Sequence, residues 1–349
     1  MTKYDAVMHR GSGRNQLLEF SKLIASFFVV CIHVPFPGTF GKIVTCLARF
    51  AVPMFFAISG FFSYQVGCDK LEKRILHIVK LNLVAIGVQI TWRLCATILY
   101  GGSISDWLGT LFVSRQDLWK WLVLNVNPFG GHLWYLTSIF ICYVFLWGYI
   151  RSYGKLVVNY RPLYFLCLCL AGIHFLLGEF SSVLGLDIPY EIPRGAMFLG
   201  LPMFGMGIFL RQFGDRFLQR TGMATWKILG MLFLFAIVSF FERLWFGSVE
   251  LYLGTVGIVV MLMLLSWKCP QFCKGPVGSL VSTFGSCSTV IYIVHIPVWE
   301  YYMGMWQLGL YQRLGEQEAM LRPLIVMGIS LLIAAAVECC AGGSRRLKQ

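Results

Sequence analysis

Two ionisable side chains, Lys22 and His33, lie 11 residues apart in the first long apolar stretch of the sequence. An α-helix has about 3.6 residues per turn and rises about 1.5 Å per residue, so both side chains share one face, about 16 Å apart. An imidazole can accept a proton from a hydroxyl near neutral pH, and an ammonium group binds anions. The pair predicts a polar seam with a base at one end. In the purely structural alternative, Lys22 extends to the membrane interface and His33 only ends a helix.

Other polar side chains stand near the ends of separate apolar stretches, where ionisable groups are costly and mark candidate functional sites. Arg49 could stabilise a developing oxyanion, and His132 or Glu242 could orient a base or bind hydroxyl groups. These three residues and His33 are the catalytic candidates. The candidates for substrate binding are Tyr135, Tyr292 and His295.

A basic run follows the second apolar stretch and reads EKRILHIVK over residues 72–80. Lys binds phosphate as a point charge, and Arg binds it through a planar fork of N–H donors. We therefore expect Lys73 and Arg74, together with Lys22, to hold the phosphates of a phosphorylated ligand. No glycine-rich phosphate loop, HExxH or GxSxG motif is present, which argues against NTPases, zinc proteases and α/β-hydrolases.

The elements that carry these residues are apolar and long. The chain has 349 residues, of which 58% are hydrophobic and 16% aromatic, and a soluble domain could not cover that much apolar surface. A spanning helix needs about 20 apolar residues. We predict an all-α polytopic membrane protein, one domain over residues 1–349, with an interfacial amphipathic helix at 104–124. The ten predicted spans are 16–34, 43–63, 75–99, 132–150, 162–178, 195–213, 226–244, 249–267, 279–299 and 323–341.

The charges give these spans a direction. The net charge is +13, but Lys and Arg stand in short bursts between apolar stretches, which indicates membrane orientation and not nucleic-acid binding. The bursts follow every second span, so both termini are predicted to be cytoplasmic. His33, Arg49, His132, Glu242 and His295 then all lie at the outer ends of their helices. The 12 cysteines show no CxxC pair and no Cys/His ligand spacing, so neither a metal site nor disulfides are predicted.

Several motifs, taken in order along nearly the whole chain, resemble the acyltransferase-3 family of integral membrane O-acyltransferases. They are the segment from Glu19 to Lys22 with His33 after it, RFAVPMFFAISGFF, EKRILHIVK, HLWYL, the segment around Glu242, and YIVHIPVW. The family more often has Arg at the position of Lys22. Its basic run commonly has more arginines and a proline, where this chain has His77 and Lys80.

The resemblance implies a cytoplasmic acyl donor, usually acetyl-CoA, and an extracytoplasmic acceptor hydroxyl on a carbohydrate or another cell-envelope molecule. It also implies a multi-pass protein of the bacterial plasma membrane, in contact with the lipid bilayer. In the mechanism that we expect, His33 is the general base, Arg49 stabilises the oxyanion, and Lys22, Lys73 and Arg74 hold the CoA phosphates.

Two other functions fit the sequence. A related membrane domain is fused to serine racemases of vancomycin resistance, where its implied role is substrate import, so a transporter of a small polar solute such as an amino acid is one alternative. No inverted repeat or pair of broken helices supports it. The other alternative is a non-enzymatic partner of polysaccharide export, in which the buried polar residues would tolerate substitution.

Overall fold

A computed structural model of the protein describes residues 15–154, 157–181, 183–271, 275–307 and 315–346. The regular elements of these residues are all helical. The α-helices are α1 Gln16–His33, α2 Gly38–Ala48, α3 Ala51–Phe61, α4 Cys68–Leu99, α5 Ile104–Gly109, α6 Arg115–Leu124, α7 Trp134–Ser152, α8 Arg161–Leu177, α9 Glu191–Arg194, α10 Leu201–Thr221, α11 Thr225–Phe246, α12 Leu253–Lys268, α13 Pro276–Ser286, α14 Ser288–Gln307 and α15 Gly315–Arg346. A 3₁₀ turn, Gly131–Leu133, precedes α7, and a π-helical turn, Ala196–Gly200, precedes α10.

Within the described residues, seven helical segments are long and apolar enough to cross a membrane. The pair Leu280–Ser286 and Ser288–Met305, bent by 61° at Cys287, meets the same criterion only when its two helices are counted as one broken span. The helices α8 and α12 are apolar but shorter. The all-helical, multi-pass prediction is therefore confirmed. The total of ten spans and the cytoplasmic position of both termini stay predictions.

Three predicted segments differ from the structure in instructive ways. The amphipathic helix expected over 104–124 is two short helices, because Ser114 and Asp117 form a capping box that starts α6 anew. Helix α4 begins at Cys68 and not at 75, so the basic run forms its first turns. The span 43–63 is interrupted at Arg49 and Phe50. Pro53 has no N–H to donate to the Arg49 carbonyl four residues earlier, which accounts for that break.

Helix α1 occupies the middle of the bundle. It packs against α2, α3, α12, α13, α14 and α15. The tightest crossing is between α3 and α10, where a side chain at Gly60 would overlap the Phe204 carbonyl and one at Gly207 would overlap the Ala57 carbonyl. Close backbone contact of this kind is how membrane helices associate without a hydrophobic driving force. The central position of α1 brings its polar face into the interior of the protein.

Candidate active site

Three histidines from three different elements meet in one cluster. His33 is the last residue of α1, His132 lies in the turn before α7, and His295 lies in α14. The ring centroids are 5.2 Å apart for His33 and His295, 5.3 Å for His132 and His295, and 6.3 Å for His33 and His132. His132 and His295 are buried, whereas His33 is exposed. The structure thus brings together three residues that the sequence placed only at the same end of their spans.

Hydrogen bonds fix the two buried rings. The Gln89 side-chain amide donates to Nε2 of His132 at 3.3 Å and to the Ile293 carbonyl at 3.1 Å. The Tyr292 hydroxyl donates to the His132 carbonyl. Since an amide NH₂ only donates, Nε2 of His132 must be the unprotonated nitrogen. This arrangement assigns His132 the neutral form.

His295 has one nitrogen bound and the other free. Its Nδ1 lies 3.1 Å from the Ile291 carbonyl, which can only accept, so Nδ1 carries the proton. Its Nε2 is buried and has no hydrogen-bond partner among the described residues. Buried polar atoms without a partner are rare, and where they occur they often have a functional role. His295 therefore presents an unused proton acceptor inside the cluster.

Cationic side chains surround the histidines. Arg49 and Arg194 lie close enough to His33 to interact with it electrostatically, and Arg93 does so with His132. Arg49 forms an ion pair with Glu250 at 3.0 Å through Nη1, and its Nε is buried without a hydrogen-bond partner among the described residues. The cluster can therefore stabilise negative charge next to a base.

A cavity of about 220 Å³ lies beside the cluster. Its lining includes Lys22, His77, Tyr135 and Tyr292. The Tyr292 ring lies 5.9 Å from the His132 ring and 6.2 Å from the His295 ring. The cavity thus connects the basic end of α1 to the residues that surround the histidines.

The three predicted phosphate-binding residues do not converge. Lys22 lines the cavity and pairs with Glu19 at 2.6 Å. Arg74 donates to the Ser63 hydroxyl at 2.8 Å and to the Phe62 carbonyl at 3.0 Å, so it holds the C-terminal end of α3. Lys73 is exposed on the first turns of α4. A shared phosphate site for these residues remains a prediction.

Glu242 lies at a helix terminus. Its carboxylate accepts a 2.9 Å hydrogen bond from the Gly254 amide, in the first turn of α12. A carboxylate there satisfies free backbone donors and suits the helix dipole. No described contact joins Glu242 to the three histidines. The buried Glu179 lies nearby, and burial, with the Glu242 charge second, raises its pKa from 4.5 to about 8.

Gln89, Arg93 and Arg194 were not among the functional candidates that the sequence patterns indicated. Gln89 and Arg93 stand four residues apart in α4, so they share one face, and that spacing of polar residues in an apolar stretch was the available signal. Arg194 directly precedes a predicted span, where an interfacial arginine is ordinary. Only the folded contacts distinguish it. Among the described residues, no group of three or more His, Cys, Asp or Glu side chains is arranged to hold a metal ion.

A helical bundle with long apolar helices and buried ionisable groups is the architecture of a multi-pass membrane protein. The chain belongs to the acyltransferase domain family Acyl_transf_3, whose model matches residues 15–339. This is the family that the sequence motifs resemble. The chain is also similar to an amino-acid racemase of Enterococcus faecalis, with 27% identity over 314 residues. The match covers 82% of this chain and 42% of the relative, so the chain spans less than half of that protein's length. No solved structure matches significantly.

Proposed function

We propose that the protein transfers the acyl group of a cytoplasmic acyl-CoA, acetyl-CoA in the first instance, to a hydroxyl of a carbohydrate or another cell-envelope acceptor. The site of action is the bacterial plasma membrane. The observation that carries the proposal is the cavity that Lys22 and Tyr292 both line, because the Tyr292 ring lies beside His132 and His295. A donor with several phosphates suits the basic end of this cavity, and a hydroxyl suits the end with the bases.

The chemistry is acyl transfer. His33 takes the proton of the acceptor hydroxyl as its oxygen attacks the thioester carbonyl. Arg49 stabilises the oxyanion of the tetrahedral intermediate. The C–S bond then breaks, the ester C–O bond remains, and the proton passes from His33 to the CoA thiolate. His132 orients groups around this centre, while Tyr135, Tyr292 and His295 contact the substrates. Glu242 supports the site indirectly, from the start of α12, where it accepts the Gly254 amide.

The donor contacts extend from the cavity to the inner surface. Lys22 meets a CoA phosphate or the polar part of its arm within the cavity, and Lys73 and Arg74 hold phosphates outside it. Ordinary positive charge is enough for this, because lysine binds phosphate without a fixed fork geometry. Lys22 gives up its pairing with Glu19 when the donor binds.

The test uses the full chain in membrane vesicles with radiolabelled acetyl-CoA and envelope glycans from the cells that produce the protein. We expect label in hydroxylamine-labile esters, and His33→Asn should reduce the rate by at least about 100-fold. Acetyl-CoA binding by that variant should be retained. An unchanged rate in His33→Asn would rule out the assigned base. Failure of the wild-type protein to bind acetyl-CoA would rule out the donor.

The racemase relative supports a second candidate, in which this membrane domain moves an amino acid across the bilayer. Uptake of radiolabelled serine into vesicles without any acyl-CoA would favour that function. Acetyl-CoA-dependent ester formation without serine uptake would favour the acyltransferase.

A further inference from the structure

Arg194 is held between two aromatic rings and keeps its hydrogen-bond donors free. Its guanidinium carbon lies 4.6 Å from the Tyr190 ring centroid and 5.3 Å from that of Trp134. Its side chain forms no hydrogen bond or ion pair with any described residue. Stacked rings cover the faces of a guanidinium, whereas its N–H donors point outward in its plane. The rings therefore hold the Arg194 guanidinium group in place, and its N–H donors remain available to a ligand.

Arg93 also lies close to the cluster, near His132. It stands one helical turn after Gln89 on the same face of α4, and Gln89 contacts His132. Along the helix it lies about 6 Å beyond Gln89. Its side chain likewise forms no ion pair within the described parts of the chain. Both arginines are partly exposed, so a ligand can reach them.

The charges at this end of the bundle do not balance. Of the three arginines that interact electrostatically with His33 or His132, Arg49 has a carboxylate partner, Glu250, and the other two have none among the residues that the structure describes. Partly buried cations without counterions are costly unless they serve a ligand. The phosphates of the donor do not fill this role, since they are assigned to the basic end of α1, about 16 Å from His33.

Free polar groups accompany the arginines. Asn125 is 3% exposed, its Oδ1 has no hydrogen-bond partner among the described residues, and a side chain at Gly195 would lie 3.5 Å from its amide nitrogen. An acceptor with hydroxyls next to a charged group could use an amide oxygen and a guanidinium fork together. The combination is typical of carbohydrate sites that also read a charge.

We propose that the acceptor unit is anionic, with a carboxylate or phosphate near the hydroxyl that is acylated, and that Arg194 and Arg93 bind this anion. The inference rests on the proposed function, because it names the class of acceptor for the same site. The two arginines are substrate-binding residues that fix the acceptor hydroxyl near His33. A neutral acceptor would leave both cations uncompensated.

The first experiment measures thermal stability of the full chain in nanodiscs with glucuronate, glycerol phosphate or neutral glucose at constant ionic strength. We expect the midpoint to rise with an anionic probe and to stay constant with glucose. The two anions separate carboxylate from phosphate recognition. The double variant Arg93→Gln/Arg194→Gln should lose the rise, measured against its own baseline. Arg115→Gln, an exposed arginine of α6, should keep it.

Equal shifts with glucose and with the anions, or an undiminished shift in the double variant, would overturn the proposal. The second experiment measures transfer from acetyl-CoA to envelope glycans. There the double variant should raise the acceptor KM by about tenfold or more, with little change in the KM for acetyl-CoA. A normal acceptor KM in the double variant would also contradict it. If the wild-type protein transfers no acetyl group, the proposed function fails, and the stability experiment still decides whether the site binds anions.

Discussion

The two ends of the polar seam on α1 are built differently. At the His33 end, three rings from three elements lie within 5.2 to 6.3 Å of one another, and backbone and side-chain bonds hold two of them. At the Lys22 end, the predicted phosphate-binding residues point to separate partners. Proton transfer needs groups fixed in place, whereas phosphate binding needs mainly positive charge. This difference agrees with the proposed function, which assigns the chemistry to the histidine end and donor binding to the lysine end.

Removing the free nitrogen of His295 should have the largest effect. His295→Asn keeps a donor for the Ile291 carbonyl but loses the acceptor Nε2, so we expect kcat to fall by about 100-fold. His174→Asn is the matched control, because His174 is also buried and lies 2.9 Å from a backbone carbonyl, that of Pro193. Steady-state rates of acetyl transfer check both variants. A similar fall in kcat in the two variants would show that any buried histidine is needed, whether or not it belongs to the cluster.

Loosening His132 should have a smaller effect. Gln89→Met keeps the length of the side chain and removes the bonds to His132 and the Ile293 carbonyl. We expect kcat to drop by about tenfold, with an unchanged KM for acetyl-CoA, because Gln89 positions a group at the histidine end. A raised KM for acetyl-CoA with a normal kcat would show that Gln89 contributes to donor binding. That result would contradict the contrast between the histidine end and the lysine end.

At the lysine end, the effects should appear in KM. Lys22→Gln should raise the KM for acetyl-CoA by about tenfold or more, because a hydrogen bond to a charged group contributes about 1.5 kcal/mol or more. Lys73→Gln, at an exposed position, should raise it less. Arg74→Ala also frees the end of α3, so its thermal stability must be measured alongside. A fall in kcat for Lys22→Gln without a change in KM would contradict donor binding.

The smallest effect concerns stability and pH. The pKa of Glu179 is raised to about 8 in the folded protein, above its usual 4.5, so the folded state binds more protons between these values. Stability is therefore highest at low pH within this window and falls as the pH rises through 8. We expect a lower thermal midpoint near pH 9 than near pH 6, and a flatter profile for Glu179→Gln. An identical profile in that variant would show that Glu179 does not control it.

Sequence patterns were sufficient for the helices and for the ends at which the polar residues stand. The long apolar stretches predicted the main helices, since hydrophobicity determines what can span a bilayer. They did not predict the bend at Cys287 or the two helices within 104–124, because local capping and packing decide such breaks. The convergence of His33, His132 and His295 followed from topology, but their distances depend on how the helices pack.

The contacts that distinguish polar residues at similar positions in their helices could not be predicted from the sequence. Glu242 and His132 looked alike as polar residues at outer ends, yet one contacts a helix N-terminus and the other a histidine cluster. Arg194 was not selected as a candidate, because its contact with the Trp134 ring joins segments that are far apart in the sequence. A sequence indicates on which face of a helix a residue lies and how far along the helix it stands. Its contacts with other segments depend on the fold.

The most direct test of the account is to block the cavity between the two ends. Thr289 lines it and is an exposed residue with room beside it, so Thr289→Trp should fill the cavity. Thr91→Trp is the control, since Thr91 lines a separate apolar groove of about 750 Å³. With both variants folded, we predict that Thr289→Trp reduces acetyl transfer by about 100-fold and that Thr91→Trp does not. Full transfer by Thr289→Trp would show that the acyl group does not pass through this cavity.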